Sequence, residues 1–199
     1  NGDYWQKVEA TILKGSGDNL QWQTVYNLLD GNKKPILKET QTWTFSHKDN
    51  KHVLSLEWEG EAIEDITINE FDYGGLFLRM PWKAGVQGEA VNTARQINQK
   101  ADAQRAQWVD VGMAIDGLND WGHIALFDHP DNDGFPTTWR VDGQLGIGPV
   151  KAKQGDWHIK RGQMATFKHQ VVVYSGTLNN MEMDNLWGDF SGDKGMYNT

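Results

Sequence analysis

Lys38-Glu-Thr-Gln-Thr-Trp-Thr-Phe-Ser-His47 decides the fold of this chain, because its side chains alternate with a period of two. Gln41, Trp43, Phe45 and His47 fall on one face, and Thr40, Thr42, Thr44 and Ser46 on the other. Successive side chains of a strand point to opposite sides, so the stretch reads as a β-strand lying between two different surroundings. Outward from it, similar stretches recur between turn residues. Residues 4–13 end at Gly15-Ser-Gly-Asp-Asn19, and residues 21–29 end at Asp30-Gly31, a hairpin-type dipeptide. Residues 52–59 put Leu54, Leu56 and Trp58 on one face, and 63–71 continue in the same manner. Residues 74–80 read as a buried strand carrying one cation, Arg79. With 108–114, 123–127, 138–142 and 166–174 there are about ten strands, which predicts an all-β fold, a large antiparallel β-sandwich.

Two segments depart from that pattern. Ala94, Ile97, Ala101 and Trp108 stand at helical spacing, so 94–108 reads either as a helix or as a long irregular loop. The tail after Gly176, rich in Asn, Asp, Gly and Met, reads as a segment lying along the surface.

A length of 199 residues suits one domain, 1–199, with room for a substantial core. The net charge of -8, without any run of Lys and Arg, excludes nucleic acid as a general partner. No stretch approaches the ~20 apolar residues of a membrane span. Zero cysteines exclude disulfides, thiolate metal sites and cysteine nucleophiles. Ten tryptophans are the compositional outlier. They fill cores, and their faces also stack on sugar rings, for which Trp82, Trp108 and Trp139 are candidates.

The densest polar cluster follows the apolar stretch Ile124-Ala-Leu-Phe127. Asp128, His129, Asp131, Asn132, Asp133 and Arg140 lie within one connection, with Pro130, Gly134 and Pro136 restricting its backbone. An Asp beside a His can orient an imidazole for proton transfer, which makes Asp128 and His129 the candidate catalytic residues. Their side chains leave a strand in different directions unless the Pro130 turn intervenes. Asp131-Asn-Asp-Gly134 has the oxygen-rich look of a calcium loop but fails the required spacing, so a turn held by its own side chains is favoured and no metal site is assigned. Arg79 needs a partner if buried, and Glu89, Asp110 or a ligand carboxylate could supply it. There is no phosphate loop, dinucleotide fingerprint, nucleophile elbow or His-Glu-x-x-His helix.

Gly75-Leu-Phe-Leu-Arg-Met80, Gly88-Glu-Ala-Val-Asn92, Ala106-Gln-Trp-Val-Asp110, Ile124 to Asn132 with its Phe-Asp-His-Pro core, Pro136-Thr-Thr-Trp139 and Val171-Val-Val-Tyr-Ser-Gly176 occur in an order that resembles the bacterial family labelled "methane oxygenase PmoA". Methane oxidation is rejected, since this hydrophilic chain cannot form the helices of a membrane oxygenase. The resemblance implies a periplasmic or extracellular β-sandwich protein associated with carbohydrate processing, and a galactose-mutarotase-like supersandwich is the expected form. It also implies that a His-rich opening motif of the family precedes the first residue here, so that an N-terminal segment or a partner chain would complete the sheet. Many relatives carry His where this sequence has Arg140. On this basis Asp128 and His129 are candidates for proton transfer on a sugar, by epimerisation, elimination or hydrolysis, and Asn132, Arg140, Arg79, Glu89, Asn92 and Trp139 for binding it. The alternatives are a non-catalytic glycan-binding module and an assembly protein; no cofactor is assigned.

Overall fold

The computed structural model describes residues 4–192. In chain order its strands are β1 (Trp5–Lys14), β2 (Asn19–Leu29), β3 (Pro35–Lys48), β4 (Lys51–Ala62), β5 (Ile66–Ile68), β6 (Leu78–Arg79), β7 (Gly88–Asn92), β8 (Trp108–Ala114), β9 (Trp121–Asp128), β10 (Trp139–Asp142), β11 (Gly146–Pro149), β12 (Trp157–Ile159) and β13 (Met164–Ser175). One helix follows, α1 (Asn180–Ser191). An eight-stranded sheet in the order β1-β2-β3-β4-β13-β9-β8-β7 forms the body of the fold, with every pairing antiparallel. Two small sheets, β10-β11-β6 and β12-β5, accompany it. The all-β, large antiparallel sandwich expected from the alternation is the fold observed.

The period of two in β3 has the predicted consequence. On one face Gln21 and Gln23 of β2 donate side-chain hydrogen bonds to Thr44 and Thr42, directly opposite them. The other face carries Leu37, Glu39, Gln41 and Trp43, in register with Trp58 and Leu56 of β4 and, one strand further, Phe167 and His169 of β13. Gly60 of β4 lies opposite Glu39, and a Cβ there would come within 2.3 Å of the Trp58 ring, so glycine is what lets the indole lie over its own strand.

The main core fills the space between the β8, β9 and β13 part of the large sheet and the β10-β11-β6 sheet. Val109, Val111, Leu126 and Val171 meet Trp139, Val141, Ile147 and Met80 there. The opposite face of the same strands is covered by α1, whose Met183 and Trp187 pack on Trp108, Ala125, Phe127 and Val172. A smaller cluster of Leu37, Ala62 and Ile159, with Ile66, Ile68 and Trp157 beside it, joins the β12-β5 sheet to β3 and β4. β1 is an outer strand, exposed along its whole length.

Two expectations are corrected, and of the two readings of residues 94–108 the irregular loop is the one observed. Up to Gly192 the tail after Gly176 is not a loose surface segment: residues 180–191 form α1, capped by the Asn179 side chain accepting from the amides of Met181 and Glu182 and ended by Gly192 in the left-handed region, while 193–199 lie outside the described residues. Its polar composition hides the four-residue spacing of Met183 and Trp187 that anchors it. Residues 94–108 contain no α-helix; a short 3-10 turn at Asn98–Lys100 sits among positive-φ residues Arg95, Asn98 and Ala103, and Trp108 already opens β8. Of residues 74–80 only Leu78–Arg79 pair as strand, because Gly74 and Gly75 have φ of 141° and 76° and turn the chain.

Trp187 is 3% exposed and its indole N–H donates to the Asp128 carbonyl at 2.8 Å. Trp187→Ala should therefore cost about 3–5 kcal/mol in a urea unfolding experiment. A loss below about 0.5 kcal/mol would mean that the helix merely rests on the surface.

Candidate functional site

The connection from Asp128 to Arg140 is held from within. Asp128 ends β9 with its carboxylate fully buried, one oxygen accepting from the His129 amide (3.1 Å) and the Asn132 side chain (2.7 Å), the other from the Thr137 amide (2.8 Å). Asn132 gives its second amide hydrogen to the Lys168 carbonyl and accepts from the Lys168 N–H, so its side chain continues the sheet as a strand would. Arg105 reaches across to the carbonyls of Gly134, Phe135 and Pro136, and the Phe135–Pro136 peptide is cis. Phe135 stacks on Trp187 with planes 6° apart, tying the loop to α1. Asp131 and Asp133 diverge to separate lysines, Lys168 and Lys151. The Lys168 bond holds the Asp131 carboxyl below the usual carboxylate range.

Asp128 and His129 do not form the pair read from the sequence, and the reason is the strand geometry weighed there. The Asp128 side chain faces β13, whereas His129 turns to the helix side, edge-on to Phe190 at 5.0 Å. His129 Nδ1 accepts from the Asp131 amide at 3.1 Å. Burial pushes the His129 pKa down against the opposing pull of Asp131, so the ring is neutral near pH 7. The histidine that Asp128 approaches is His169, directly opposite it on β13, with Nδ1 3.8 Å from Oδ1.

The remaining candidates separate. Arg79 is exposed and pairs with Asp142 and Gln144, not with Glu89 or Asp110. Glu89 is exposed on β7, at the other edge of the sheet. Asn92 is buried and exchanges two hydrogen bonds with Gln96, closing the turn after β7. Trp139 is wholly buried with its N–H on the Ala106 carbonyl, and Trp108 is equally buried, so neither offers a ring face to a ligand. Arg140 lies over the Tyr73 ring at 4.0 Å, and its buried Nε has no hydrogen-bond partner among the described residues.

Where sequence reading saw a strand face, the structure has a cavity of about 380 Å³. Trp43, Trp58 and Phe167 from the large sheet, Trp157 from β12 and Tyr73 from the connection between β5 and β6 wall it with aromatic surface. Its polar lining includes Glu39, Gln41, Thr137, Lys151 and His169. Glu39, 5% exposed, is held in a relay: the Trp43 indole N–H donates to the Gln41 side-chain oxygen at 3.1 Å, and the Gln41 amide donates to the Glu39 carboxylate. His169, 7% exposed, lies further along the same face. Its Nδ1 is 3.3 Å from the Phe127 carbonyl, which can only accept, so Nδ1 carries the hydrogen and Nε2 keeps its lone pair. Burial lowers the His169 pKa despite the nearby Asp128 carboxylate, and the neutral ring is the stable form. Glu39 is opposite Gly60, which is opposite Ala165, so Glu39 and His169 are two strands and four residues apart, about 16 Å between Cα atoms. They mark opposite ends of the cavity, with Trp58 and Phe167 between. Glu39, Gln41 and His169 are the residues the sequence reading did not single out. Their signal was polar groups on the same face as Trp43 and Trp58.

Residues 4–188 match the model of DUF6807, described as a family of unknown function. No curated protein matches the chain. Similar solved structures include the galactosidase domain of the α-galactosidase–sucrose kinase AgaSK, with a TM-score of 0.43 and 10% identity over 86% of this chain and 28% of that one. The GH36 α-galactosidase AgaA from Geobacillus stearothermophilus has a TM-score of 0.41 and 13% identity over 88% of this chain and 28% of its own. A galactose mutarotase related enzyme from Lactobacillus acidophilus has a TM-score of 0.38 and 10% identity over 85% of this chain and 72% of its own. The chain thus spans little more than a quarter of the galactosidases' length.

Two outcomes follow from the buried groups. Asp128→Ala strips three N–H donors of their acceptor and should cost about 3 kcal/mol or more, measured by urea unfolding, with the 129–137 loop becoming protease-sensitive. His129 and His169 both have folded pKa values below the ordinary 6.5. Between those lowered values and 6.5 the unfolded chain binds more protons than the folded one, so stability falls as pH is lowered through that window and is unaffected by these groups above it. A His129→Gln, His169→Gln double variant should show a flatter dependence of unfolding free energy on pH below 6.5. An unchanged slope would assign it to other groups.

Proposed function

This chain belongs to the DUF6807 family, whose function is unknown, and we propose that it binds a carbohydrate in the aromatic-walled cavity. One observation carries the reading: a nearly buried carboxylate, Glu39, is oriented by the Gln41–Trp43 relay into a space bounded by four or more aromatic rings. A sugar ring is amphipathic, with C–H faces that pack on aromatic surface and hydroxyl edges that need hydrogen-bond partners. Trp58, Trp157 and Phe167 supply the first requirement, and Glu39 with Gln41 at one end and His169 with Thr137 at the other supply the second. The volume is at the lower end of small-molecule sites, which commonly span ~300–1,000 Å³, and suits one or two sugar units.

A second reading is favoured by the state of His169. Its neutral ring, with Nδ1–H directed at the Phe127 carbonyl, leaves Nε2 able to accept a proton from a bound sugar, as epimerisation or elimination requires, or from an attacking water, as hydrolysis requires. Glu39 is too distant to share that proton and would act on the other end of the ligand. Asp128 and Asn132 enter this proposal as positioning residues: they fix the strand end and the Lys168 backbone next to His169. A periplasmic or extracellular location, where sugar fragments are met, belongs to the same proposal.

Screening the protein against a library of neutral and acidic mono- and oligosaccharides by tryptophan fluorescence, with product analysis on every binder, tests both readings. Saturable binding is expected, weakened roughly 10- to 100-fold in Glu39→Gln by loss of a charge-assisted hydrogen bond. Trp58→Ala should weaken it roughly 2- to 10-fold. If His169 transfers a proton, His169→Ala abolishes turnover while binding persists. Sugars that bind the parent and both cavity variants equally would place the site elsewhere, and a library without binders would remove the carbohydrate reading.

A further inference from the structure

The hairpin joining β3 to β4 holds a second cluster of chemistry, outside the cavity. Lys48 and Lys51 face each other across a two-residue turn in which Asp49 and Asn50 have φ of 49° and 60°, the backbone of a tight hairpin turn whose twist suits the flanking strands. His47 and His52 are the next opposed pair, on the face that carries Trp43. Their Nδ1 atoms are 3.4 Å apart and their ring centroids 4.9 Å. That separation is long for a hydrogen bond to nitrogen, which prefers about 2.7–3.2 Å. It is, however, the separation that one tetrahedral ion imposes, because two nitrogens each about 2.0–2.1 Å from zinc are about 3.3–3.4 Å from each other.

We propose that His47 and His52 form a two-histidine chelate for Zn²⁺ or another borderline divalent transition-metal ion. The backbone on both sides is fixed by the ladder and the turn, and the His52 ring also stacks on Phe45 with planes 22° apart, so little ordering is needed to bring both nitrogens onto one ion. Neutral imidazoles select ions of the zinc, copper and nickel type; calcium and magnesium require oxygen ligands. Both histidines are exposed, so an ion from solution has access. Among the described residues no group of three or more His, Asp or Glu side chains gathers around an ion site. Water, or oxygen atoms of a bound molecule, therefore completes the coordination, and the site is an open one. It lies on the same sheet face as the cavity wall, four residue pairs beyond Trp43 along the ladder, and does not depend on what the cavity binds.

Titration of the intact chain with Zn²⁺ by calorimetry, together with long-range proton–nitrogen NMR of the histidine rings, tests this. One ion per chain is expected at micromolar affinity, with the Nδ1 resonances of both His47 and His52 shifting. His47→Ala and His52→Ala should each weaken binding by more than about tenfold, since disturbing even an outer partner of a metal ligand costs ~10–100-fold. His158→Ala, which removes an exposed histidine on β12 hydrogen-bonded to Thr67, should bind zinc as the parent does. Absence of saturable binding, equal affinity in the His47→Ala, His52→Ala double variant, or a shift at only one of the two rings would overturn the proposal.

Discussion

The Asp128 carboxylate is the point through which the separate parts of this molecule are joined. Taking a carboxylate out of water costs several kcal/mol unless its lone pairs are met, and here three N–H groups meet them. Each donor belongs to something else. The Thr137 amide brings in a residue of the cavity wall, Asn132 locks the backbone of β13 beside His169, and the His129 amide starts the turn that carries the loop to the helix side. The carbonyl of the same residue receives the Trp187 indole and so anchors α1. Cavity wall, loop and helix are thereby coupled through one side chain and its own backbone.

The large sheet is unevenly covered, and the cavity is a consequence. Around β8, β9 and β13 both faces are packed, one by the β10-β11-β6 sheet and the other by α1, so the strands read as nearly continuous apolar runs. Around β3 and β4 the sheet that covers the inner face, among the described residues, is the short β12-β5 sheet. The two small sheets do not join, and the seam between them is bridged by the 73–76 segment and by 149–152. Large aromatic side chains approach the seam from opposite layers without closing it. Gly60 contributes by letting Trp58 lie flat against β4, its indole taking the space that a side chain opposite Glu39 would fill.

β2 and β3 were legible because their period of two survives independently of tertiary context, as the opposed Gln23–Thr42 and Gln21–Thr44 pairs illustrate. The 128–140 loop was legible only in part. Pro130, Gly134 and Pro136 correctly announced an ordered connection, but its order serves Asp128 and Arg105 and does not present His129 to a ligand. Trp139 could not be told from a ring platform by composition, since burial is decided by β11 and the 104–106 segment packing around it. The Glu39–His169 cavity was illegible for a similar reason. Its two ends come from strands far apart in sequence that become near neighbours only because β13 inserts between β4 and β9.

That insertion also gives His169 its particular standing. Its neighbours on the inner face are Leu56 on one side and Asp128 on the other, apolar and acidic by turns. At 3.8 Å the carboxylate is too far for a hydrogen bond, while the Phe127 carbonyl at 3.3 Å fixes the tautomer of the neutral ring. A proton arriving at Nε2 from the cavity side would create an imidazolium facing a carboxylate already saturated by amides, so Coulomb attraction would be available without any group having to move. On the proposed reading the ring would hold that proton only transiently, because burial disfavours its charged form. The same arrangement makes occupancy of the cavity and order of the 128–137 loop parts of one equilibrium: a ligand that binds only the folded wall stabilises everything that Asp128 ties to it.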